Sequence, residues 1–301
     1  MLLIMRFSGF GRRWRAIGQR STLRYRTAKN SRLQGARPCP PAYTSTGVLS
    51  MQGRTLRFEC AELSLIGNRE ENQDRVAIAQ SDAAALLVAV DGMGGHSDGA
   101  RAAGLAIETI ASAFRQVSAP LFDPQGFLHL VIGRAHTRLA KLGADLRVEL
   151  RPRATCALCL VQDGFAYWAH VGDSRIYHLR GEEILDRTRD HSHVEVLLQE
   201  GLIREDEMSD HPMRNFVECC IGGNIALPGM TVAPARRMRP GDVVLVCTDG
   251  FWSGLSDAEL ARLGAGNAPL AASLQLAGEK ATRTTRPYSD NTSAAALRWL
   301  G

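Results

Sequence analysis

At 301 residues the chain is long enough to bury a full core, and its 45% hydrophobic and 22% charged residues describe a globular protein and exclude a disordered one. The net charge of +5 argues less for a nucleic-acid surface than it first suggests. Residues 1–58 carry eleven Arg and Lys29 with no Asp or Glu, and the remaining 24 basic and 31 acidic residues leave the body at −7.

Met1 to Met5 is apolar, but Arg6 ends the run before a secretory core is reached, and no later stretch is long and apolar enough to read as a membrane span. Residues 1–50 are expected as a basic disordered tail or a start-site extension ahead of Met51, and residues 51–301 as the folded domain. Seven cysteines, an odd number, speak against a disulfide framework. Cys60, Cys156, Cys159 and Cys247 lie in apolar strand-like runs and read as reduced core residues of a cytoplasmic protein. Cys156-x-x-Cys159 lacks a second pair for zinc, and in a strand its two side chains face opposite ways.

Strands are expected at Leu56–Ile66, Arg75–Ala79 and Leu86–Val90. Helices at Ser97–Gln116, with Ser97 or Asp98 as cap, and at Gln125–Leu142 follow from their apolar spacing; the latter places Leu128, Val131, Ile132, Ala135, Leu139 and Leu142 on one face. Ala154–Val161 and Phe165–Val171 form a hairpin through Gln162-Asp163-Gly164, and Arg175–Leu179 follows Gly172-Asp173-Ser174. His191–Glu200 reads as a short helix. Residues 201–229 are polar and irregular, too long for a mere connection, and are expected as a mobile segment beside a site. Strands return at Met230–Pro234 and Asp242–Cys247, helices at Ser256–Arg262 and Pro269–Ala281, and a last strand at Ser293–Leu300. Strands interleaved with helix pairs and joined largely by hairpins indicate an antiparallel layered α/β domain, not a doubly wound sheet.

The chemistry gathers at strand ends. Leu86–Val90 runs into Asp91-Gly-Met-Gly-Gly-His96, and Val243–Cys247 runs into Thr248-Asp249-Gly250. One Asp-Gly is an ordinary turn; two at the ends of apolar strands deliver two carboxylates to a sheet rim, where glycine lets backbone approach closely. A dinucleotide fingerprint would need glycine at Ser97, and no Gly-Lys-Ser/Thr follows for a phosphate loop. Asp74, Asp290 and Asp173 also sit at strand boundaries. Carboxylates gathered at one sheet end repel one another unless a cation neutralises them, and Mg²⁺ or Mn²⁺ suits such oxygen donors. Two such ions about 4 Å apart activate a water for attack on phosphorus while screening its oxygens. Arg69, five residues before Asp74, suits a phosphate bidentately.

Together, Arg69-x-x-Asn-Gln-Asp74, Asp91-Gly-Met-Gly-Gly-His96, His170-Val-Gly-Asp-Ser-Arg175, Asp190-His-Ser192, Cys247-Thr-Asp-Gly250 and Ser289-Asp-Asn291 resemble the ordered motifs of the metal-dependent protein phosphatases, the PPM or type 2C family, in a compact bacterial form. The resemblance spans about Leu56 to Leu300. It implies a four-layer α-β-β-α sandwich of two antiparallel sheets flanked by helix pairs, within the α/β (α+β) class. It also implies two Mg²⁺ or Mn²⁺ ions, with a third at a weaker site. Asp91 would bridge the pair, the Gly92 carbonyl and Asp74 would complete one shell, Asp249 and Asp290 would hold the other ion, and Asp173 would serve the third. Asp91, Asp249 and Arg69 would carry catalysis, with Arg69 binding the substrate phosphate. Residues 201–229 match the family's variable flap. The implied reaction is hydrolysis of phosphoserine and phosphothreonine in proteins, opposing a Ser/Thr kinase, by a monomer with no nucleic-acid or membrane partner.

This chain departs from animal members at Met93, where those carry a histidine proposed as general acid; His96, His191 and His193 are the candidates here. Gly99-Ala100 and Ala154-Thr155 also differ from common bacterial residues, at no metal position. The alternative, an inactive member that binds phosphoproteins as a regulator, predicts loss of a metal carboxylate, and none is missing.

Overall fold

The chain enters its first sheet on β1 (Tyr43–Met51), antiparallel to β2 (Arg54–Leu65). The structure, a computed structural model, describes residues 43–51, 54–94, 98–266 and 268–301. Residues 1–42 of the expected tail, His96 and the Ser97 cap lie outside the described residues. Residues 43–50, expected within the tail, instead form with Met51 a strand paired from Met51↔Arg54 to Tyr43↔Glu62. The arginine content of the surrounding sequence masked a run of Tyr, Thr, Val and Leu that suits an extended backbone.

Next come β3 (Asp74–Gln80) and β4 (Ala84–Met93), then α1 (Asp98–Arg115) and α2 (Pro124–Leu142). β5 (Arg153–Ala154), β6 (Cys156–Gln162), β7 (Phe165–Val171), β8 (Arg175–Arg180) and β9 (Glu183–Arg187) precede α3 (His193–Gln199). Short strands β10 (Ile221–Gly222), β11 (Thr231–Val232) and β12 (Arg236–Arg237) lead to β13 (Val243–Cys247). Helices α4 (Asp249–Trp252), α5 (Asp257–Ala261) and α6 (Leu270–Thr284) and the strand β14 (Thr292–Trp299) close the chain.

One sheet has the order β1-β2-β14-β13-β8-β9; the other runs β10-β5-β4-β6-β7-β11, with β3 on β4 and β12 on β7. Every ladder is antiparallel. Alternation sorts each central strand between two cores. Leu86, Val88 and Val90 of β4 pack under α1 and α2, while Ala85, Leu87 and Ala89 face the other sheet. Across the sandwich, Val244, Val246, Ala295 and Leu297 meet them, and Val243, Leu245, Ala294 and Ala296 turn outward beneath α4, α5 and α6. The result is the four-layer α-β-β-α arrangement expected. Cys156 and Cys159 fall in different cores, as strand geometry requires. Each fully buried Leu or Val contributes roughly 1.5–3 kcal/mol.

Local signals explain the boundaries. Asp123 caps α2 by accepting from the Gly126 amide at 2.9 Å, and Pro124 occupies the first turn. In the β6–β7 hairpin Asp163 and Gly164 have φ of 52° and 76°, the left-handed pair of a two-residue turn. Gly172-Asp173-Ser174 differs in kind: it crosses from one sheet to the other, since β7 and β8 belong to different sheets. Among the described residues no helix is long and apolar enough to cross a membrane.

Candidate active site

Five aspartates at separate strand boundaries meet at the same pole of the sandwich. Asp74 opens β3 directly opposite Asp91 in the β3–β4 ladder. Asp249 follows Thr248 at the end of β13, Asp290 stands two residues before β14, and Asp173 lies on the crossing between sheets.

Their electrostatics place them within each other's reach. Burial, opposed by the Thr248 hydroxyl and reinforced by the Asp249 charge, raises Asp74 to about 7. Asp91 is pushed well above the usual carboxylate range by burial and then by Asp74, Asp249, Asp173 and Asp290. Burial and Asp290 bring Asp249 to about 6, with Arg69 acting in the opposite direction. Burial and then Asp249 and Asp190 bring Asp173 to about 8.

Neutral and backbone groups fix these carboxylates. Thr248 donates its hydroxyl to Asp74 Oδ2 at 2.7 Å and accepts from the Ser293 amide at 3.1 Å, so β13 and β14 together hold Asp74. Thr155 donates its amide to the Asp91 carbonyl at 2.9 Å, and its hydroxyl, buried against Ser174 at 2.7 Å, accepts from the Asp91 amide at 3.4 Å. Asn291 receives the Gln73 amide and donates to the carbonyls of Ile66 and Glu71, stapling the loop that bears Arg69. Both Asp-Gly pairs have a steric reason: a Cβ on Gly92 would lie 2.0 Å from the Gly99 carbonyl oxygen, and one on Gly250 would lie 2.1 Å from that of Asn291. Sequence reasoning missed Thr155 and Thr248 because nothing local marks a hydroxyl whose partner is 174 residues away.

Arg69 is exposed and donates Nη2 to Asp290 Oδ2 at 2.6 Å. The second Asp290 oxygen accepts from the Asn291 amide at 2.8 Å. No three of the described His, Cys, Asp and Glu side chains form a ready group for a metal ion. The donor set nonetheless fits a hard divalent cation. It consists of carboxylate and carbonyl oxygens, the carboxylates outnumber the cations beside them, Arg69 at Asp290 and Arg175 near Asp173, and Asp173 Oδ1 is buried with no hydrogen-bond partner.

Of the histidine candidates, His96 lies outside the described residues. His191 Nδ1 accepts the Gly172 amide at 3.3 Å, which leaves Nε2–H for Thr231 Oγ1 at 2.9 Å. Its ring stacks on His170 at 4.5 Å. His193 pairs with Glu218 at 2.7 Å. Residues 201–229 are attached on both sides: Glu218 donates its amide to the His191 carbonyl, and His136 donates Nε2–H to the Ile225 carbonyl while accepting the Gly222 amide.

A family model described as Protein phosphatase 2C matches residues 63–283. The chain belongs to the protein phosphatase 2C family. It is 31% identical over 194 residues, 63% of this chain and 35% of the relative, to the serine/threonine protein phosphatase PstP of Mycobacterium tuberculosis, so it spans about a third of that protein. It is 29% identical over 221 residues, 71% of this chain, to the protein phosphatase PhpP of Streptococcus pneumoniae, of which 87% is covered. Among solved structures, the catalytic domain of PstP in complex with two manganese ions superposes with a TM-score of 0.69 at 27% identity, over 82% of this chain and 100% of that one. Membership of protein phosphatase 2C accounts for the two antiparallel sheets and the helices on their outer faces.

Proposed function

We propose that this protein 2C family member is a metal-dependent phosphatase that hydrolyses phosphoserine and phosphothreonine in proteins, opposing a Ser/Thr kinase. The observation that carries the reading is the facing pair Asp74 and Asp91, whose charges, with those of Asp249 and Asp290, oppose one another at one sheet end. Such a cluster is stabilised by protons or by cations, and a divalent cation that binds it displaces the protons.

Asp74, Asp91, the Gly92 carbonyl, Asp249 and Asp290 would hold two Mg²⁺ or Mn²⁺ ions, and Asp173 a third. When bound, such a pair lowers the pKa of a water and screens the oxygens of a phosphoryl group. The protein's own contribution is placement. Thr248 and Thr155 fix Asp74 and Asp91, so little reorganisation is needed as charge develops at phosphorus. Arg69 exchanges Asp290 for the substrate phosphate, a bidentate partner better matched to its guanidinium. His191 stands next to the crossing loop as a neutral imidazole, its Nδ1 accepting from the Gly172 amide and its Nε2–H directed at Thr231 Oγ1, and so braces that loop.

The test is hydrolysis of a phosphothreonine peptide by the full chain with Mn²⁺, with chelator, and as Asp249→Asn. Turnover is expected only with the ion and the intact carboxylate. Activity that ignores the chelator, or survives the substitution at near wild-type rate, contradicts the reading.

A further inference from the structure

The β8–β13 ladder ends at the pair Arg175↔Cys247. Beyond it the two chains diverge: one continues as Thr248 and α4, and the other is the crossing loop with Asp173. No ladder bond remains to set Asp173 against Asp249, although the Asp249 charge bears on Asp173. A side chain takes over at this point. Trp252, the last residue of α4 and three after Asp249, donates its indole Nε1–H to the Asp173 carbonyl at 3.0 Å.

The indole is itself held. The Arg175 guanidinium carbon lies 3.4 Å from the ring centroid. That guanidinium is fixed edge-on by Asp190, with Nε to Oδ1 and Nη2 to Oδ2 both at 2.8 Å, and by the Tyr177 hydroxyl at 3.2 Å. The residue after Asp190, His191, closes the far side by donating its amide to the Gly172 carbonyl at 2.9 Å. Asp173 thus has its backbone bracketed on both sides while its side-chain Oδ1 stays buried and unpartnered. Fixing a backbone so firmly around a carboxylate oxygen left free is expensive unless something else takes that oxygen.

We propose that Trp252 is a positioning residue: through one indole N–H···O=C bond it sets the loop bearing Asp173 relative to the helix that begins at Asp249, and so sets how tightly Asp173 holds its ion. The inference rests on the reading of Asp173 as a ligand of the weakest bound ion. A ring used only for packing would tolerate loss of its N–H without consequence for that ion.

The experiment is calorimetric Mn²⁺ titration of the full chain, stripped with chelator, as wild type, Trp252→Phe, Asp173→Asn and the double variant, with urea unfolding of each without metal. Phe keeps an aromatic face over Arg175 and lacks the donor; Trp252→Met, also without a donor, serves in the same role should Phe fold poorly. Trp252→Phe is expected to weaken the weakest class of Mn²⁺ site by about 3- to 10-fold, the worth of one hydrogen bond, with the tighter sites unchanged. Asp173→Asn is expected to abolish that class, and the double variant to behave as Asp173→Asn alone. If Asp173→Asn removes the weak class but Trp252→Phe leaves it untouched, or weakens every site alike in step with stability, the positioning role is overturned and the ligand reading stands. If Asp173→Asn leaves all Mn²⁺ binding intact, the ligand reading falls and the positioning role with it.

Discussion

Asp242 immediately precedes β13, and Asp249 stands two residues beyond its other end, with five apolar residues and Thr248 between them. Asp242 is fully buried and fully partnered: Arg180 donates at 2.7 and 2.8 Å, His178 at 2.9 Å and the Arg239 amide at 2.8 Å. Burial alone would raise its pKa, but these donors, Arg180 foremost, outweigh it and hold the carboxyl below its usual range. At the other end Asp249 meets Asp290 and Asp91, and its pKa rises to about 6. One pole of the strand solves the problem of a buried charge within the protein. The other leaves it open, which is worthwhile only where a cation from outside completes it.

The largest expected effect separates the poles by what each variant loses. Asp249→Asn should lower peptide turnover at least about 100-fold, as when a group organising transition-state charge is removed. In chelated protein it should leave the urea midpoint unchanged or raised, because a repelled charge is gone. Asp242→Asn should do the reverse, with stability lower by about 2–4 kcal/mol in urea unfolding and specific activity of the folded fraction intact. That range sits below a fully buried pair because Arg180 is a third exposed. Arg69→Ala should lower kcat/KM by about 10- to 100-fold, the loss of charge-assisted bonds to phosphate.

A pH series sharpens the contrast. Asp74, Asp249 and Asp173 bind protons in the folded state at pH values where the unfolded chain has released them. The metal-free protein should therefore lose stability as pH rises from the ordinary carboxylate range through about 6 to 8, and Mn²⁺ should abolish that slope. Asp242 runs the other way: its contribution is present above the ordinary carboxylate pKa and is lost as pH falls through its lowered value. The smallest effect is expected of Thr248→Val, about 1 kcal/mol in urea for the lost bond to Asp74.

Much of this was legible because strands covered on both faces are written as unbroken apolar runs, as in Leu86–Val90 and Val243–Cys247. The Asp-Gly pairs at their ends could be read for the same reason. β9 was not legible: Glu183-Ile-Leu-Asp-Arg187 lacks the alternation of a half-buried strand, lies at a sheet edge, half in solvent, and resembles a polar loop. β10 and β12 are two residues each and exist only through their partners, while β11 falls within the expected Met230–Pro234 but is shorter. Nor could the sequence tell that Gly172–Ser174 changes sheets, since a crossing and a hairpin use the same turn residues. Thr155, Thr248 and Trp252 were invisible for a related reason: each is an ordinary residue in its own segment and becomes a clamp only against a distant one.

The central claim is that the aspartates at one end of the sandwich form a cation site. Equilibrium dialysis of the full chain against Mn²⁺ at neutral pH, beside Asp91→Asn, tests it most directly. The account predicts at least two ions retained per wild-type chain and a loss of retention in the variant. An unmodified chain that keeps no Mn²⁺, or a variant that keeps as much as wild type, would contradict it.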